Sequence, residues 1–216
     1  MKNELKNSQE VDMRSCFSLF QSLTTNKPST PVTLQEVYRL ITTDVSLKES
    51  TEKYRYFRAQ GFDADADKIK RSKSWVFTPA ARFEGKRHGK NLVAYTQYSM
   101  VDIDKLEDGQ AEKLIRLLKD DPYWLLAYIT LSGKGLRIIY RVEGVSDSQT
   151  YLKAFYQGND HYCALLGITH FDSAVKDATR AVCCVTTLKP SFGRGPNRFL
   201  LIMIRWWWLR YGSPSS

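Results

Sequence analysis

The 216-residue sequence lacks the features that identify zinc proteins, secreted proteins and membrane proteins. It has four cysteines and three histidines, and neither a Cys-x-x-Cys spacing nor a His-x-His pair occurs. This disfavours a zinc site and a replication initiator or nuclease that uses a Tyr beside a His pair. No apolar run reaches the roughly 18 residues of a membrane span, and residues 1–6 are too polar for a secretory signal. We therefore predict a cytoplasmic protein with free thiols and no membrane partner.

The composition is that of an ordinary globular domain with a mild excess of basic residues. Hydrophobic residues make up 43% and charged residues 25% of the chain, and the formal net charge is +9. Five of the basic residues, and no acidic residue, lie beyond position 185, so the preceding part is only mildly basic. Such a balance suits a nucleic acid or nucleotide partner without requiring one.

Composition divides the chain into three parts. Residues 1–30 are a polar segment with one short apolar strand at 16–20, residues 31–186 are the main domain, and residues 187–216 are an atypical tail. The tail has no acidic residue and carries Trp206, Trp207 and Trp208 in a row. A frameshifted or truncated reading frame would explain it, and an interfacial anchor or a protein-binding segment are the alternatives.

Hydrophobic periodicity predicts the α+β class, with a largely antiparallel sheet and flanking helices. Thr33 and Glu36 form a capping-box pattern before a helix at 34–43. Strands at 124–131 and 136–142 flank a glycine-rich turn and predict a hairpin. The other predicted elements are helices at 47–71, 108–120 and 148–166, the last broken near Gly158, and strands at 75–83 with a bend at Pro79, at 93–103, at 168–171 and at 181–185.

Two aspartates end the apolar strand predicted at 93–103. Side chains two positions apart point to the same face of a strand, so Asp102 and Asp104 are expected to stand side by side. Adjacent carboxylates repel, and a hard divalent cation such as Mg²⁺ or Mn²⁺ is their natural partner. The alternative is a solvated, structural pair at a strand end.

The hairpin turn reads Ser132-Gly133-Lys134-Gly135. Two glycines let the backbone adopt positive φ and approach a ligand closely, and successive amides in such a turn can bind an anion. Arg137 adds a further positive charge. This pattern predicts a phosphate site, although it is not a P-loop, because the required Gly-x4-Gly-Lys spacing is absent. A plain glycine-rich hairpin turn is the alternative.

A third stretch resembles the first in ending an apolar segment with an acid, Asp172. Lys176 and Arg180 follow at helical spacing, so both are expected to face one way. A guanidinium binds phosphate oxygens through two parallel hydrogen bonds, which makes Arg180 a candidate triphosphate ligand. The alternatives are that Asp172 caps a helix and that Asp177 forms a surface ion-pair cluster with the two basic residues.

Taken in this order, the three stretches resemble the archaeo-eukaryotic primase superfamily over roughly residues 12–186. The closest resemblance is to the primase-polymerase-like domain known as the VirE N-terminal or BT-type N-terminal domain of Bacteroidetes mobile and phage-like elements. The matching stretches are Val101-Asp102-Ile103-Asp104, Leu131-Ser132-Gly133-Lys134-Gly135-Leu136, and Phe171-Asp172 with Asp177 and Arg180. Active primases carry a His after Ser-x in the second motif, where this chain has Lys134.

The resemblance implies an RRM-like sheet packed against an α/β unit and a primase-polymerase activity in DNA replication. The implied reaction is nucleotidyl transfer from nucleoside triphosphates on a single-stranded DNA template, with Mg²⁺ or Mn²⁺ held by Asp102, Asp104 and Asp172. Ser132, Gly133, Lys134, Gly135, Arg137 and Arg180 would bind the nucleotide, while the loop at Lys86-Arg87 and the second helix would follow the template. The alternative is a catalytically degenerate primase fold that binds nucleic acid or nucleotide beside a helicase, supplied as a partner or as a lost C-terminal domain.

Overall fold

The computed structural model describes residues 17–25 and 27–186, and within them it confirms the α+β class. Every strand pair in this part of the chain is antiparallel. The helices are α1 (Leu34–Thr43), α2 (Val45–Ala59), α3 (Asp63–Ser72), α4 (Gln110–Leu117) and α5 (Ser148–Leu166). The strands are β1 (Phe17–Phe20), β2 (Thr30–Val32), β3 (Val76–Thr78), β4 (Ala81–Phe83), β5 (Leu92–Tyr95), β6 (Tyr98–Asp104), β7 (Trp124–Ile129), β8 (Gly135–Arg141) and β9 (Val182–Cys183).

The strands form three sheets rather than one. One sheet has the order β2-β1-β3-β9, a second consists of β4 and β5, and the third has the order β6-β8-β7. The predicted hairpin is confirmed, since β7 pairs with β8 across the glycine-rich turn. The predicted strand at 16–20 is found at Phe17–Phe20, and β9 lies within the strand predicted at 181–185.

Strand β6, at one edge of the β6-β8-β7 sheet, lies between two apolar cores. Tyr98 and Met100 on one face pack into the first core, with helices α1 and α2. Val101 and Ile103 on the other face pack into the second core, with α4 and α5. Because side chains alternate along a strand, Asp102 follows Met100 on the side of the first core. The strand therefore carries an acidic side chain to the edge of an apolar interior.

Local sequence signals place several helix ends correctly. Thr33 caps α1 through the predicted capping box, in which its hydroxyl accepts from the Glu36 amide and Glu36 accepts from the Thr33 amide. Val37 and Ile41 on the next turns are buried, as the periodicity predicts. The helix predicted at 108–120 is found as α4 followed by a 3₁₀ turn at Leu118–Asp120, before Pro122 ends it.

Four details of the predicted elements are wrong. The long helix at 47–71 is two helices, because the chain turns at Gly61, whose φ is +75°. The strand at 93–103 is divided by Gln97, with φ of +59°. Helix α5 is unbroken at Gly158, and residues 168–171 form no strand.

The remaining predictions on the chain ends lie outside the described residues. These include Cys16 and the tail at 187–216 with its three tryptophans. In the described part of the chain, Cys183 and Cys184 are buried free thiols, whereas the free thiol of Cys163 is only partly buried. Among the described residues, no helix is both long and apolar enough to cross a membrane.

Candidate functional site

A cavity of about 570 Å³ opens where β6 and β7 end and β8 begins, beside α3 and the segment that precedes β9. It brings together residues from stretches that lie far apart along the chain. Of the predicted site residues, its wall includes Asp102, Asp104, Ser132, Arg137, Asp172 and Arg180. The charged residues that line it without having been predicted as ligands are Asp67, Lys70, Arg71 and Arg87.

The three predicted acids meet through the strand pattern and one backbone hydrogen bond. Asp102 and Asp104 lie on the same face of β6, as their spacing predicts. The amide of Asp172 donates to the carbonyl oxygen of Asp102 at 2.9 Å, which fixes the third acid beside the strand. The Asp172 carboxylate also accepts from the Ala174 amide at 2.9 Å and caps a 3₁₀ turn at Ser173–Val175. Asp172 therefore both caps this turn and lines the cavity.

Asp102 forms a buried ion pair with Arg137, its direct cross-strand partner in β8. The two residues are only 5% and 9% exposed, and an Nη atom of the arginine contacts Oδ2 of the aspartate. Oδ1 of Asp102 and Nε of Arg137 are buried without a hydrogen-bond partner in the described part of the chain. Burial alone would lower the pKa of Arg137, but Asp102 and Tyr128 together outweigh it and raise the pKa. Arg137 is therefore charged, and each side chain of the pair lacks a hydrogen-bond partner for one polar atom.

Tyr128 on β7 completes this buried group. Its hydroxyl donates to the Cys183 carbonyl oxygen at 3.1 Å and accepts from Nη1 of Arg137 at 3.4 Å. The guanidinium carbon lies 5.7 Å from the tyrosine ring centroid, a cation–π distance. Burial raises the pKa of Tyr128, so the phenol stays protonated. The arginine is thus oriented by a neutral acceptor, the Tyr128 hydroxyl oxygen, as well as by the acid.

Asp104 is the exposed member of the acid group. Desolvation raises the pKa of its carboxyl, and the negative charges of Asp102 and Asp172 raise it further. Opposite Asp104 lies Gly135, where a Cβ would come within 2.5 Å of Oγ1 of Thr130 and 2.8 Å of the Ile103 carbonyl oxygen. The second glycine of the turn is therefore required for strand packing beside the acid.

The glycine turn differs from the predicted phosphate cradle in where its groups point. Ser132 lines the cavity, whereas Gly133, Lys134 and Gly135 are not among the lining residues. The Gly133 amide donates to the Thr130 carbonyl oxygen at 2.9 Å and the Lys134 amide to Oγ of Ser132 at 3.2 Å. Both amides therefore donate to oxygen atoms within the turn, as in the alternative of a plain hairpin turn. Arg137 is the cation of this motif that faces the acids.

Two arginines from distant loops lie close together on the cavity wall. Nη1 of Arg87 donates to the Thr179 carbonyl oxygen at 3.4 Å, which brings its guanidinium beside Arg180. Desolvation and then the charge of Arg180 lower the pKa of Arg87. Neither arginine has an acidic partner within 4.0 Å among the described residues. Lys176, predicted to face the same way as Arg180, is exposed and does not line the cavity.

Sequence reasoning missed the contribution of α3 to this wall. Lys70 and Arg71 lie there beside Asp67, in the predicted second helix that the resemblance implied would follow the template. Their spacing places them on one side of a helix with Asp67. Only the tertiary packing shows that this side, although exposed, lines the cavity that holds the acids.

The donor set of the pocket suits a hard divalent cation in part. Such a cation could bind the unpartnered carboxylate oxygen of Asp102. It would also reduce the repulsion between Asp104 and the neighbouring acids. Within residues 17–25 and 27–186, however, no group of three or more His, Cys, Asp or Glu side chains is arranged to hold a metal ion. A cation would have to draw the carboxylates together and displace Arg137 from Asp102, or bind Asp104 and Asp172 alone.

Comparison with known proteins gives one match. The family model described as BT4734-like, N-terminal domain matches residues 68–187, which is just over half of the chain. The matched region contains all three acids and the glycine turn, but excludes α1 and α2. No curated protein and no solved structure matches the chain.

Proposed function

The chain belongs to the BT4734-like, N-terminal domain family, and we propose that its cavity binds a nucleoside triphosphate with Mg²⁺ or Mn²⁺ for template-directed nucleotidyl transfer. One observation carries this proposal. Four aspartates, the three predicted ones and Asp67, and five basic residues converge on a cavity of about 570 Å³ from stretches spread along the chain. That volume is in the range of small-molecule sites. A primase-polymerase-like role in replicating the DNA of a mobile element agrees with this chemistry.

The acidic side of the cavity would hold the cations. Asp104 is accessible and destabilised by the charges of its neighbours, so it is the first carboxylate that a cation would relieve. Asp172 is fixed beside it by its backbone bond to Asp102. Cations held by Asp104 and Asp172 would supply the charge that activates an attacking hydroxyl and neutralises a leaving pyrophosphate. The chain's own part is to hold the carboxylates on a rigid strand and a capped turn.

The basic side of the cavity would hold the phosphates. Arg87 and Arg180 lie together without acidic partners among the described residues, so an anion between them would relieve their repulsion. Lys70 and Arg71 on α3 widen the basic wall. Ser132 adds a hydroxyl to the lining. The cavity thus offers carboxylates for a divalent cation and basic side chains for phosphates, as the binding of a triphosphate with its cation would need.

Primer synthesis tests the proposal directly. The purified chain is incubated with Mn²⁺ or Mg²⁺, single-stranded DNA, and labelled NTPs or dNTPs, and the products are resolved by length. We expect synthesis by the native chain and at least a hundredfold loss in D104N and D172N, in the range found when groups that stabilise a transition state are removed. D120N is the matched control, since Asp120 is exposed in the 3₁₀ turn after α4.

The Asp102–Arg137 ion pair favours a second candidate. A carboxylate whose charge is already neutralised by a buried arginine is a poor metal ligand, which agrees with a catalytically degenerate fold that binds nucleotide or single-stranded DNA beside a helicase. In that case the chain binds a labelled nucleoside triphosphate, R180Q weakens the binding, and no product forms with either metal. Synthesis that depends on Asp104 would exclude this candidate, while absence of both binding and synthesis would contradict both.

A further inference from the structure

The most buried charges of the cavity are held in an incomplete pair. Oδ2 of Asp102 accepts a hydrogen bond from Arg137. Oδ1 of Asp102 and Nε of Arg137 have no hydrogen-bond partner among the described residues. A fully satisfied buried pair would use these atoms, because an unpartnered buried polar group is costly. Each member of the pair therefore retains the capacity to bind a second partner of opposite charge.

We propose that Arg137 is an exchangeable counter-cation, which neutralises Asp102 in the ligand-free cavity and is released toward phosphate when a divalent cation takes that carboxylate. The inference rests on the proposed cation and phosphate sites, and not on catalysis. It assigns Arg137 a positioning role at Asp102, distinct from the predicted simple phosphate clamp.

The surroundings of Arg137 permit such an exchange. Tyr128 supports the guanidinium from one side through a hydrogen bond of 3.4 Å and its ring face, and neither contact depends on Asp102. Arg137 and Asp102 both line the cavity, so the departing guanidinium and the arriving ligands share one space. The exchange leaves no charge without a partner, because Asp102 then pairs with the divalent cation and Arg137 pairs with the phosphate.

The exchange couples the two ligands. A cation that binds alone has to displace Arg137 into a cavity without an anion, and an anion that binds alone has to compete with Asp102. When both are present, each compensates the charge released by the other, so each raises the affinity for the other. A permanent structural pair would produce no such coupling, and this difference makes the proposal testable.

The first test measures Mn²⁺ binding by electron paramagnetic resonance without nucleotide. In R137Q the carboxylate of Asp102 has no competing cation, so we expect Mn²⁺ to bind about tenfold more tightly than in the native chain, within the range of coupled sites. R82Q is the matched control, because Arg82 is exposed on β4 and does not line the cavity. Equal or weaker Mn²⁺ binding in R137Q would overturn the proposal.

The second test does not depend on the stability of R137Q. In D102N the arginine loses its charged partner while the side chain keeps its shape, so Arg137 is free for anions. We expect inorganic pyrophosphate, measured by calorimetry in EDTA, to bind more tightly to D102N than to the native chain by a similar factor. Unchanged or weaker pyrophosphate binding in a folded D102N would overturn the proposal. Neither measurement uses primer synthesis, so the chain can fail as a polymerase and still pass both.

Discussion

Gly135 lies directly opposite Asp104 in the ladder between β6 and β8, and the absence of its side chain makes room for that ladder. A methyl group there would meet Oγ1 of Thr130 at 2.5 Å and the Ile103 carbonyl oxygen at 2.8 Å. The second contact is with a backbone atom, which cannot rotate away as a side chain can. The glycine of the motif thus has a packing role that is independent of any ligand.

Substitution G135A should therefore destabilise the chain. We expect a loss of about 1–3 kcal/mol, typical of an added group in a well-packed site, together with a lower Tm in thermal unfolding. The matched control is G89A, because a Cβ at Gly89 meets nothing within 4 Å. An unchanged Tm in G135A would show that the strands separate easily at this position.

Gly158 provides a second packing test, in the middle of α5. Alanine is favoured over glycine in a helix by about 1 kcal/mol, yet a Cβ here would overlap the Tyr140 ring. That ring is held by its hydroxyl bond to the Phe155 carbonyl oxygen at 3.2 Å and a bond of the same length from Asn159. We expect G158A to lower the Tm, whereas Q157A at the exposed neighbouring position should leave it nearly unchanged. A higher Tm in G158A would mean that helix propensity outweighs the overlap.

Asp104 should make stability depend on pH. Its pKa in the folded chain is raised by desolvation and by the other two acids, so its ionised form opposes folding. This penalty is present above the raised pKa and disappears as the pH falls below the ordinary aspartate value of about 4. D104N should consequently have a higher Tm than the native chain at pH 7, with the difference vanishing toward pH 4. A difference that grows as the pH falls would contradict this assignment, and D120N is the exposed control.

Asp121 stabilises the end of the molecule where β7 begins. Its buried carboxylate accepts from the amides of Tyr123 and Trp124, from the Tyr162 hydroxyl at 3.3 Å, and pairs with His161 at 2.5 Å. Removing it in D121A leaves several donors unpartnered, and we expect a loss of about 3 kcal/mol or more in urea unfolding. Pyrophosphate binding by the folded fraction should be unchanged, since Asp121 does not line the cavity. H161A should cost less, because His161 is partly exposed.

Local patterns predicted the parts of the site that are close in sequence. The alternation of β6 put Asp102 and Asp104 on one face, and the turn residues predicted the β7–β8 hairpin. These predictions succeeded because they depend on strand geometry and turn chemistry alone.

The parts of the site that depend on pairing between distant segments could not be predicted from local sequence patterns. That Arg137 lies opposite Asp102 depends on the β6–β8 register, which neither strand encodes by itself. The contributions of Lys70 and Arg87 to the cavity depend on how α3 and the β4–β5 loop pack, so both were predicted only as parts of segments that would follow the template. The break at Gly61 was missed because charged residues continue on both sides and conceal the end of α2.

The link between Asp172 and β6 has a practical consequence for mutagenesis. Because it joins an amide to a carbonyl oxygen, it does not depend on which side chain stands at position 102 or 172. Each acid can therefore be exchanged for a neutral residue while the main chain keeps both positions in register. Charge and geometry, which are normally altered together in acidic clusters, can be varied separately in this protein.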